Sequence, residues 1–214
     1  MLALEDTLTL CYRHNVSKEL GHTGVYNQSP SKGMLAHTVL MVDAETKHTF
    51  GLAAQHRWCR KNENFGTAND RKRRKYETRE SYKWQRSSEE MNTRFANVMD
   101  NIISVCDRGS DMFEYIDYKT TQNQRFVVRA KHERLVNAQG DRLTPYVENQ
   151  STELSYSVKI QQKGGRKARI AKVAVRYACV TIYPPKKHKK LDGINLSVIS
   201  CNEISPPNDT SSLS

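Results

Sequence analysis

Leucine recurs at even-numbered positions along the first ten residues of the chain. A period of two is typical of a β-strand, in which alternate side chains share one face of the sheet. The leucines of that face are Leu2, Leu4, Leu8 and Leu10. Asp6 falls on the same face, which we predict to be the buried one. Because an ionised carboxylate without a partner is costly to bury, the pattern predicts that a cation neutralises Asp6.

The segments that follow show strand and helix patterns as far as residue 128. Two apolar runs, Met34–Val42 and His48–Trp58, are joined by a polar turn at 43–47, which predicts a β-hairpin. The later elements predicted from periodicity are a helix that includes 91–99, a strand at 102–106, a helix from 112 and a strand at 126–128. Three strands followed by alternating helices and strands indicate an α/β fold.

The pattern changes after about residue 137. Strand-like stretches at 153–162, 168–183 and 195–200 are separated by basic or glycine-containing turns, and we predict no helix in this part of the chain. These stretches indicate an antiparallel β region that is attached to the α/β core or inserted in it. We therefore divide the chain into a core at 1–136, a β subdomain at 137–204 and a linker at 205–214.

The chain is strongly basic. Of its 214 residues, 34 are Lys or Arg and 23 are Asp or Glu, which gives a formal net charge of +11. Such a balance favours a polyanionic partner, either nucleic acid or an anionic membrane surface. No apolar run approaches the roughly 20 residues that span a bilayer, which argues against an integral membrane protein. We therefore expect no membrane partner.

The five cysteines are odd in number, widely spaced and without a Cys-x-x-Cys pair. This usage is typical of a reducing compartment and predicts small buried side chains rather than a disulfide framework or a zinc site. Residues 1–10 also show no pattern of a secretory leader. The sequence therefore predicts a cytoplasmic protein. Its cysteines are Cys11, Cys59, Cys106, Cys179 and Cys201.

Three basic clusters lie in predicted loops and turns. Cationic side chains in such places can neutralise phosphates without reading a base sequence, which predicts contacts to nucleic acid. A solvated loop is the alternative for each single cluster. The clusters are Arg71–Lys75, the group Lys163, Arg166, Lys167 and Arg169, and Lys186–Lys190.

Asp107 ends the apolar run Ile102–Cys106, at the point where the chain turns toward the next helix. In open α/β sheets such strand ends line the ligand crevice. If the two strands are neighbours, Asp107 and Asp6 converge, and a divalent cation would relieve their repulsion. Oxygen-rich sites suit Mg²⁺ or Mn²⁺, which act in pairs in phosphodiester chemistry. The alternatives are that Asp107 only caps a turn or helix and that Asp6 pairs with an arginine.

Motifs around both aspartates have counterparts in one enzyme family. Leu4–Thr7, followed by Tyr12-Arg13 and Glu19-Leu20-Gly21, resembles the first catalytic segment of DDE transposases of the insertion-sequence-four group, the cut-and-paste type. Val105–Arg108, followed by Arg125–Arg129, resembles the second catalytic segment and the strand after it. Further similar stretches are 80–84, Tyr156 and 162–164. The similarity runs in order along nearly all of the chain.

The resemblance implies a ribonuclease H-like fold, a mixed sheet with helices, interrupted by an antiparallel β insertion after its last core strand. It implies that Asp6 and Asp107 are the first two members of a carboxylate triad that binds two Mg²⁺ (or Mn²⁺) ions. The activity it implies is cleavage of DNA at transposon ends and strand transfer.

The same resemblance implies partners and DNA contacts. The partners are double-stranded DNA with transposon terminal repeats and a second transposase chain, as a homodimer or by association with a full-length transposase. Solvated surface charges, and for the tyrosine a packed strand residue, are the alternatives to DNA contacts. The residues at DNA-facing positions are Lys83, Arg108, Arg129 and Tyr156.

The third carboxylate of the family is a Glu on a helix with the pattern Tyr-x-x-Arg-x-x-x-Glu-x-x-x-x-x-x-Lys, and the sequence has no match to it. Tyr76 and Arg79 start such a pattern, but Lys83 stands at the Glu position and precedes Asp107. Glu203 has no helical context. We therefore expect a chain that is truncated at both ends, lacks the final catalytic helix and is inactive alone. The alternative function is a non-catalytic DNA-binding remnant or an inhibitor of a full-length transposase.

Overall fold

A computed structural model describes residues 1–12, 19–23, 32–60, 67, 70, 73–162, 167–185 and 192–206 of the chain. They form a mixed α/β protein with two β-sheets and few helices, which confirms the predicted α/β class. The chain divides into two compact units, Met1–Lys131 and His132–Ser214, each with its own sheet. Among the residues described, no helix has both the length and the apolar character needed to cross a membrane.

The described residues of the first unit include six strands and the α-helices Lys83–Phe95 and Phe113–Thr121. In chain order they are β1 (Leu2–Tyr12), β2 (Gly21–His22), β3 (Lys32–Val42), β4 (Thr49–Trp58), α1 (Lys83–Phe95), β5 (Ile103–Cys106), α2 (Phe113–Thr121) and β6 (Arg125–Val128). Short 3-10 turns lie at Tyr76–Thr78, Glu80–Tyr82, Ala96–Asn101 and Arg108–Ser110.

The sheet of this unit has the strand order β2-β3-β1-β5-β6, and β4 also pairs with β3. The pairs β1–β3 and β3–β4 are antiparallel, whereas β5 is parallel to β1 and β6 is parallel to β5. A parallel neighbour needs a crossover connection, and α2 provides it between β5 and β6. Strands β1, β5 and β6 therefore end at the same edge of the sheet.

The predicted hairpin is confirmed, because β3 and β4 are antiparallel neighbours on either side of a polar turn. The Asp43 carboxylate accepts hydrogen bonds from the backbone N–H groups of Glu45 and Thr46 at 2.9 and 2.7 Å. Lys47 then adopts a positive φ of 64°. An Asp that bonds the backbone two and three residues ahead is a common way to start a turn.

The prediction that the leucine face of β1 is buried is wrong. The buried residues of this strand are Ala3 and Glu5, whereas Leu4, Asp6 and Leu8 are exposed. The reason is that α1 and the 3-10 turn after it pack on the face that carries Ala3. The core between them consists of Ala3, Val39, Met41, Ala53, Ala54, Met91, Met99 and Ile102. Asp6 consequently needs no cation to compensate for burial.

An apolar row crosses the exposed face of the sheet beside Asp6. The strand registers place one residue from each of β4, β3, β1, β5 and β6 in line. These residues are Leu52, Leu40, Leu4, Val105 and Val127. Leu52 and Val127 are 58% and 56% exposed. Contiguous apolar surface of this kind favours association of chains.

The prediction of buried cysteines is correct only for Cys106. The other four, Cys11, Cys59, Cys179 and Cys201, are exposed, and all five are free thiols. Cys106 is buried because it lies on the helix-covered face of β5, in register with Glu5.

In the second unit, the described residues form a five-stranded sheet and one short helix. Its elements are β7 (Leu135–Val136), β8 (Asp141–Arg142), α3 (Leu143–Glu148), β9 (Thr152–Ile160), β10 (Arg169–Ile182) and β11 (Ile194–Glu203). The long strand β10 pairs antiparallel with β7, β9 and β11. The three long strands match the predicted ones. Helix α3 was not predicted, because its six residues include Pro145 and are too few to show a helical period.

Which face of the first unit's sheet is buried can be tested by replacing an apolar residue with Thr on each face. Leu8→Thr and Leu52→Thr are expected to change the free energy of unfolding by less than about 0.5 kcal/mol, because both side chains are mostly exposed. Val39→Thr is expected to lower it by about 1–3 kcal/mol, because Val39 is fully buried and the new hydroxyl loses its hydration. Urea unfolding measures all three. A large loss at Leu8 with little effect at Val39 would mean that the leucine face is the buried one.

Candidate functional site

Asp6 and Asp107 start from adjacent backbone positions. The last pair in the parallel ladder of β1 and β5 is Glu5 with Cys106; Asp6 is the next residue of β1, and Asp107 directly follows the end of β5. Neighbouring strands are about 4.8 Å apart, so the two aspartates start from adjacent backbone positions. Both side chains are exposed. The parallel pairing thus brings two carboxylates together at the point where β5 ends beside β1.

Each carboxylate is oriented by one hydrogen bond from a nearby backbone group. The Thr7 N–H donates to Oδ1 of Asp6 at 2.6 Å, and the Gly109 N–H donates to Oδ1 of Asp107 at 2.8 Å. Through the second bond Asp107 caps the turn Arg108–Ser110, as one alternative reading predicts. Both Oδ2 atoms accept no hydrogen bond from the described residues, and they are therefore available to a ligand.

Two neighbouring carboxylates are suitable ligands for one divalent cation, because Mg²⁺ and Mn²⁺ prefer oxygen donors. Within the described part of the chain, however, no three His, Cys, Asp or Glu side chains are grouped to hold a metal ion. The donor set therefore fits one weakly held ion and does not fit two.

Glu203, considered above as a substitute third carboxylate, is engaged elsewhere. It ends β11 in the second unit, where its side chain is buried and forms a two-bond ion pair with Arg169. A carboxylate held in this way by a guanidinium is committed to its partner.

Lys83 is the first residue of α1, and its ammonium lies near two tryptophan rings. It is 5.4 Å from the ring centroid of Trp58 and 5.8 Å from that of Trp84, and its side chain is only 17% exposed. Burial lowers the pKa of Lys83, the charge of Glu80 opposes this most strongly, and the charges of Asp107 and Asp6 oppose it less. Both aspartates are thus within electrostatic reach of this ammonium, which partly balances their negative charge.

An ion-paired glutamate supports Lys83. Arg60 donates from Nε and one terminal nitrogen to the two carboxylate oxygens of Glu80, at 2.6 and 2.7 Å. The same carboxylate lies 3.9 Å from the Lys83 ammonium. A third nitrogen of Arg60 donates to the carbonyl oxygen of Thr23 at 3.1 Å. This chain of contacts ties the start of α1 to the loop after β4.

The other residues predicted to contact DNA are distributed over both units. Arg108 directly follows Asp107 and is exposed. The backbone N–H of Arg129 donates to the carbonyl oxygen of Cys106 at 3.2 Å, so the backbone of Arg129 lies next to the end of β5, which Asp107 follows. Tyr156 belongs to the second unit, on β9, where it pairs with Val173 and is 46% exposed. Lys83, Arg108 and Arg129 therefore belong to the same unit as the aspartates, whereas Tyr156 belongs to the other.

Only part of the three basic clusters falls within the described residues. Arg73, Arg74 and Lys75 of the first cluster and Lys167 and Arg169 of the second are described, and Arg169 is the partner of Glu203. Lys186–Lys190, together with residues 71–72, Lys163 and Arg166, lies outside the described residues.

Sequence patterns did not reveal the supporting groups Trp58, Arg60 and Glu80. Trp58 and Arg60 lie more than twenty residues before Lys83 in the chain, and no local sequence period connects them to it. A signal was present for Glu80, because it begins the stretch 80–84 that resembles the transposase family. No protein-family model matches the chain.

Glu80→Gln is expected to lower stability at neutral pH and to have little effect in acid. Burial alone would raise the pKa of Glu80, but the hydrogen bonds and charge of Arg60, with the charge of Lys83, bring it below its ordinary 4.5. A lowered carboxyl pKa stabilises the fold above pH 4.5, and this contribution is lost as the pH falls through the lowered value. Because Glu80 is 36% exposed, we expect at most about 1 kcal/mol.

Thermal unfolding of the wild type and E80Q between about pH 7 and pH 3 measures this effect. The two melting temperatures are expected to converge in acid. Glu77→Gln is the matched control, since Glu77 is an exposed glutamate on the preceding 3-10 turn. A difference between E80Q and the wild type that persists at the lowest pH would contradict the role given to the Arg60 contact.

Proposed function

We propose that this chain is a catalytic-core portion of a DNA transposase of the DDE type, in the insertion-sequence-four group. The observation that carries the proposal is the parallel pairing of Glu5 with Cys106, which brings the residues that follow them, Asp6 and Asp107, to adjacent backbone positions. Both aspartates come from the segments that resemble the catalytic segments of that family. The family chemistry is metal-dependent cleavage of DNA at transposon ends, followed by strand transfer.

The fold is compatible with the ribonuclease H-like core that the resemblance implies. Among the described residues of the first unit, four strands, a helix, a strand, a helix and a strand occur in that order, and the strands form one mixed sheet. An antiparallel sheet follows in the second unit, where the resemblance implies a β insertion. The element order therefore supports the proposed core and its insertion.

Asp6 and Asp107 would hold the divalent cation, Mg²⁺ or Mn²⁺, through their Oδ2 atoms. The ion would polarise a phosphodiester group and stabilise the charge that develops on its oxygens. The chain's own cations have a separate role. Arg108 and Arg129 are exposed beside the aspartates and can bind DNA phosphates, and the Lys83 ammonium adds positive charge behind the site.

A non-catalytic DNA-binding protein is the second candidate, and a specific observation favours it. Among the described residues no three His, Cys, Asp or Glu side chains are grouped to hold a metal ion, whereas the cleavage chemistry of the family uses three carboxylates. Such a chain would bind DNA through its cations and could inhibit a complete transposase by occupying its DNA or by pairing with it. Binding and cleavage assays separate the two candidates.

The wild-type chain is expected to bind Mn²⁺ weakly and to leave DNA uncut. Electron paramagnetic resonance titration of free Mn²⁺ measures binding, and Asp6→Asn or Asp107→Asn is expected to abolish it because each removes one of two ligands. Asp100→Asn is the matched control, since Asp100 is an exposed aspartate of the same unit. Nicking of supercoiled plasmid with Mg²⁺ measures cleavage.

Two results would change this assignment. Mn²⁺ affinity that survives both site substitutions would remove the basis for a metal site at Asp6 and Asp107. Nicking by the wild type that D6N and D107N both abolish would show that the chain is a complete nuclease and would exclude the non-catalytic candidate.

Arg129→Ala is expected to weaken binding to duplex DNA and to reduce its salt dependence. Removal of one phosphate contact lowers the slope of log affinity against log salt by about 1. Arg125→Ala is the matched control, because Arg125 begins the same strand and its guanidinium bonds to the carbonyl oxygen of Asp100 at 3.3 Å. Fluorescence anisotropy at several salt concentrations measures both variants. Equal slopes for R129A and the wild type would argue against a phosphate contact at this position.

A further inference from the structure

Strand β9 lies at one edge of the sheet in the second unit. Among the described strands it pairs with β10 alone, and β10 separates it from β11 at the opposite edge. Seven of its nine residues are exposed, and they belong to both faces of the strand. An edge strand carries a row of backbone N–H and C=O groups that another strand can bind. β9 is therefore a place where a further strand can join the sheet.

The sequence of β9 contains few of the features that prevent pairing at a sheet edge. Such features are proline, several charged side chains or a bulge in the middle of the strand. β9 contains neither proline nor glycine and has one charge of each sign. Its ladder with β10 is regular from Leu154 to Ile160. Glu153 lies at an irregularity near the start, where it accepts a hydrogen bond from the Ser151 hydroxyl at 3.0 Å.

The apolar face of β9 continues a buried face of β10. Tyr156 pairs with Val173 and Val158 pairs with Ala171, and both β10 residues are buried. Leu154 and Tyr156 themselves are 54% and 46% exposed. The apolar face of the sheet thus extends to its edge without cover, and apolar side chains of a further strand would pack beside it.

The order of side chains in β9 is complementary to itself in the antiparallel direction. When two copies of β9 pair about a twofold axis at Tyr156, apolar residues oppose apolar ones, hydroxyls oppose hydroxyls, and an acid opposes a base. Because directly opposed residues share a face, the apolar face stays continuous across both strands. The opposed pairs, each of which occurs twice, are Glu153 with Lys159, Leu154 with Val158, and Ser155 with Ser157.

The charged residues distinguish this register from its neighbours. Moving the axis to Ser155 or Ser157 keeps the apolar face continuous but places Lys159 opposite a serine. An axis between two residues sets the apolar face of one strand against the polar face of the other. Glu153 and Lys159, both exposed, face each other when the axis lies at Tyr156. Attraction between opposite charges therefore favours that register.

We propose that β9 is a dimerisation strand, which pairs antiparallel with β9 of a second copy of this chain about an axis at Tyr156. The sheet of the second unit then continues through the interface into the sheet of the other copy. The net charge of +11 opposes the approach of two copies, so the local complementarity of β9 supplies the attraction. The interface is independent of Asp6 and Asp107, and it gives Tyr156 a role other than contact with DNA.

Charge reversal on β9 tests the register directly. Glu153→Lys and Lys159→Glu each place like charges opposite each other twice in a homodimer, and we expect each to weaken dimerisation about 10-fold or more. E153K adds two positive charges to the chain and K159E removes two, so a loss in both variants does not arise from overall charge. Sedimentation equilibrium of the full chain at several concentrations measures the dimer dissociation constant.

Two combinations of these changes are expected to restore dimerisation. In an equimolar mixture of E153K and K159E, each Lys of one chain faces a Glu of the other, so a heterodimer forms although neither variant pairs well with itself. The doubly reversed chain E153K/K159E keeps opposite charges in the same register. Its dissociation constant is expected to lie within about twofold of the wild-type value.

Ile199→Lys is the matched control at the other edge of the sheet. Ile199 is an exposed residue of β11, which β10 separates from β9. Its substitution is expected to leave the dimer dissociation constant within about twofold of wild type. The melting temperatures of all variants are expected to change little, because every substituted side chain is exposed.

Several results would overturn the β9 dimer. One is a wild-type chain that stays monomeric at every concentration, and another is a dimer that E153K and K159E do not weaken. A loss that neither the mixture nor the double reversal restores would also contradict the proposed register. Disruption by I199K or by Leu52→Lys, with E153K and K159E without effect, would place the contact on β11 or on the apolar row of the first unit. If Tyr156→Ala weakens DNA binding and leaves sedimentation unchanged, Tyr156 contacts DNA instead of a second copy.

Discussion

The parallel pairing of β1 with β5 is the constraint on which the rest of the first unit depends. Only four residue pairs form this ladder, yet it joins the antiparallel half of the sheet to the parallel half. Its last pair is Glu5 with Cys106. On the open face of the sheet, the residues that follow this pair, Asp6 and Asp107, become neighbours. On the covered face, the Glu5 carboxylate and the Cys106 thiol are buried, and Lys119 of α2 donates a hydrogen bond to Ser104 of β5.

Each face of this sheet mixes apolar and polar groups, unlike the faces of a simple amphipathic sheet. The covered face contains an apolar core together with charged and polar groups, among them Glu5, His37 and Lys119. The open face contains a leucine and valine row next to the two aspartates. Buried charges favour a unique arrangement of strands over a maximally stable one, and an exposed apolar row favours association. Both features are consistent with a sheet organised around a site.

Much of the secondary structure could be predicted, because local periodicity reflects local geometry. The strands at β1, β3, β4, β5 and β6 were all anticipated, as was the hairpin turn that Asp43 stabilises. The buried face of β1 was predicted incorrectly. A period of two separates the two faces of a strand but does not show which face the helices cover, and here Ala3 and Glu5 are covered although the leucines are more apolar.

The site, like the fold, could be predicted only in part. Asp107 was predicted at a strand end from its place after an apolar run, and the sequence pattern placed Asp6 on the same face as the leucines. The groups around Lys83 were not predicted, because Trp58 and Arg60 approach it only through the fold. Lys119 had a weak signal, since it continues the spacing of Tyr115 and Ile116 along the buried side of α2.

The sequence by itself determined the α/β class, the main strands and the two aspartates, because each depends on the order and spacing of nearby residues. Only the tertiary structure decided which face of the sheet is buried and that Asp6 and Asp107 start from adjacent backbone positions. The second feature depends on pairing between residues that are about a hundred positions apart in the chain. Such contacts arise from the packing of whole elements, which no local pattern records.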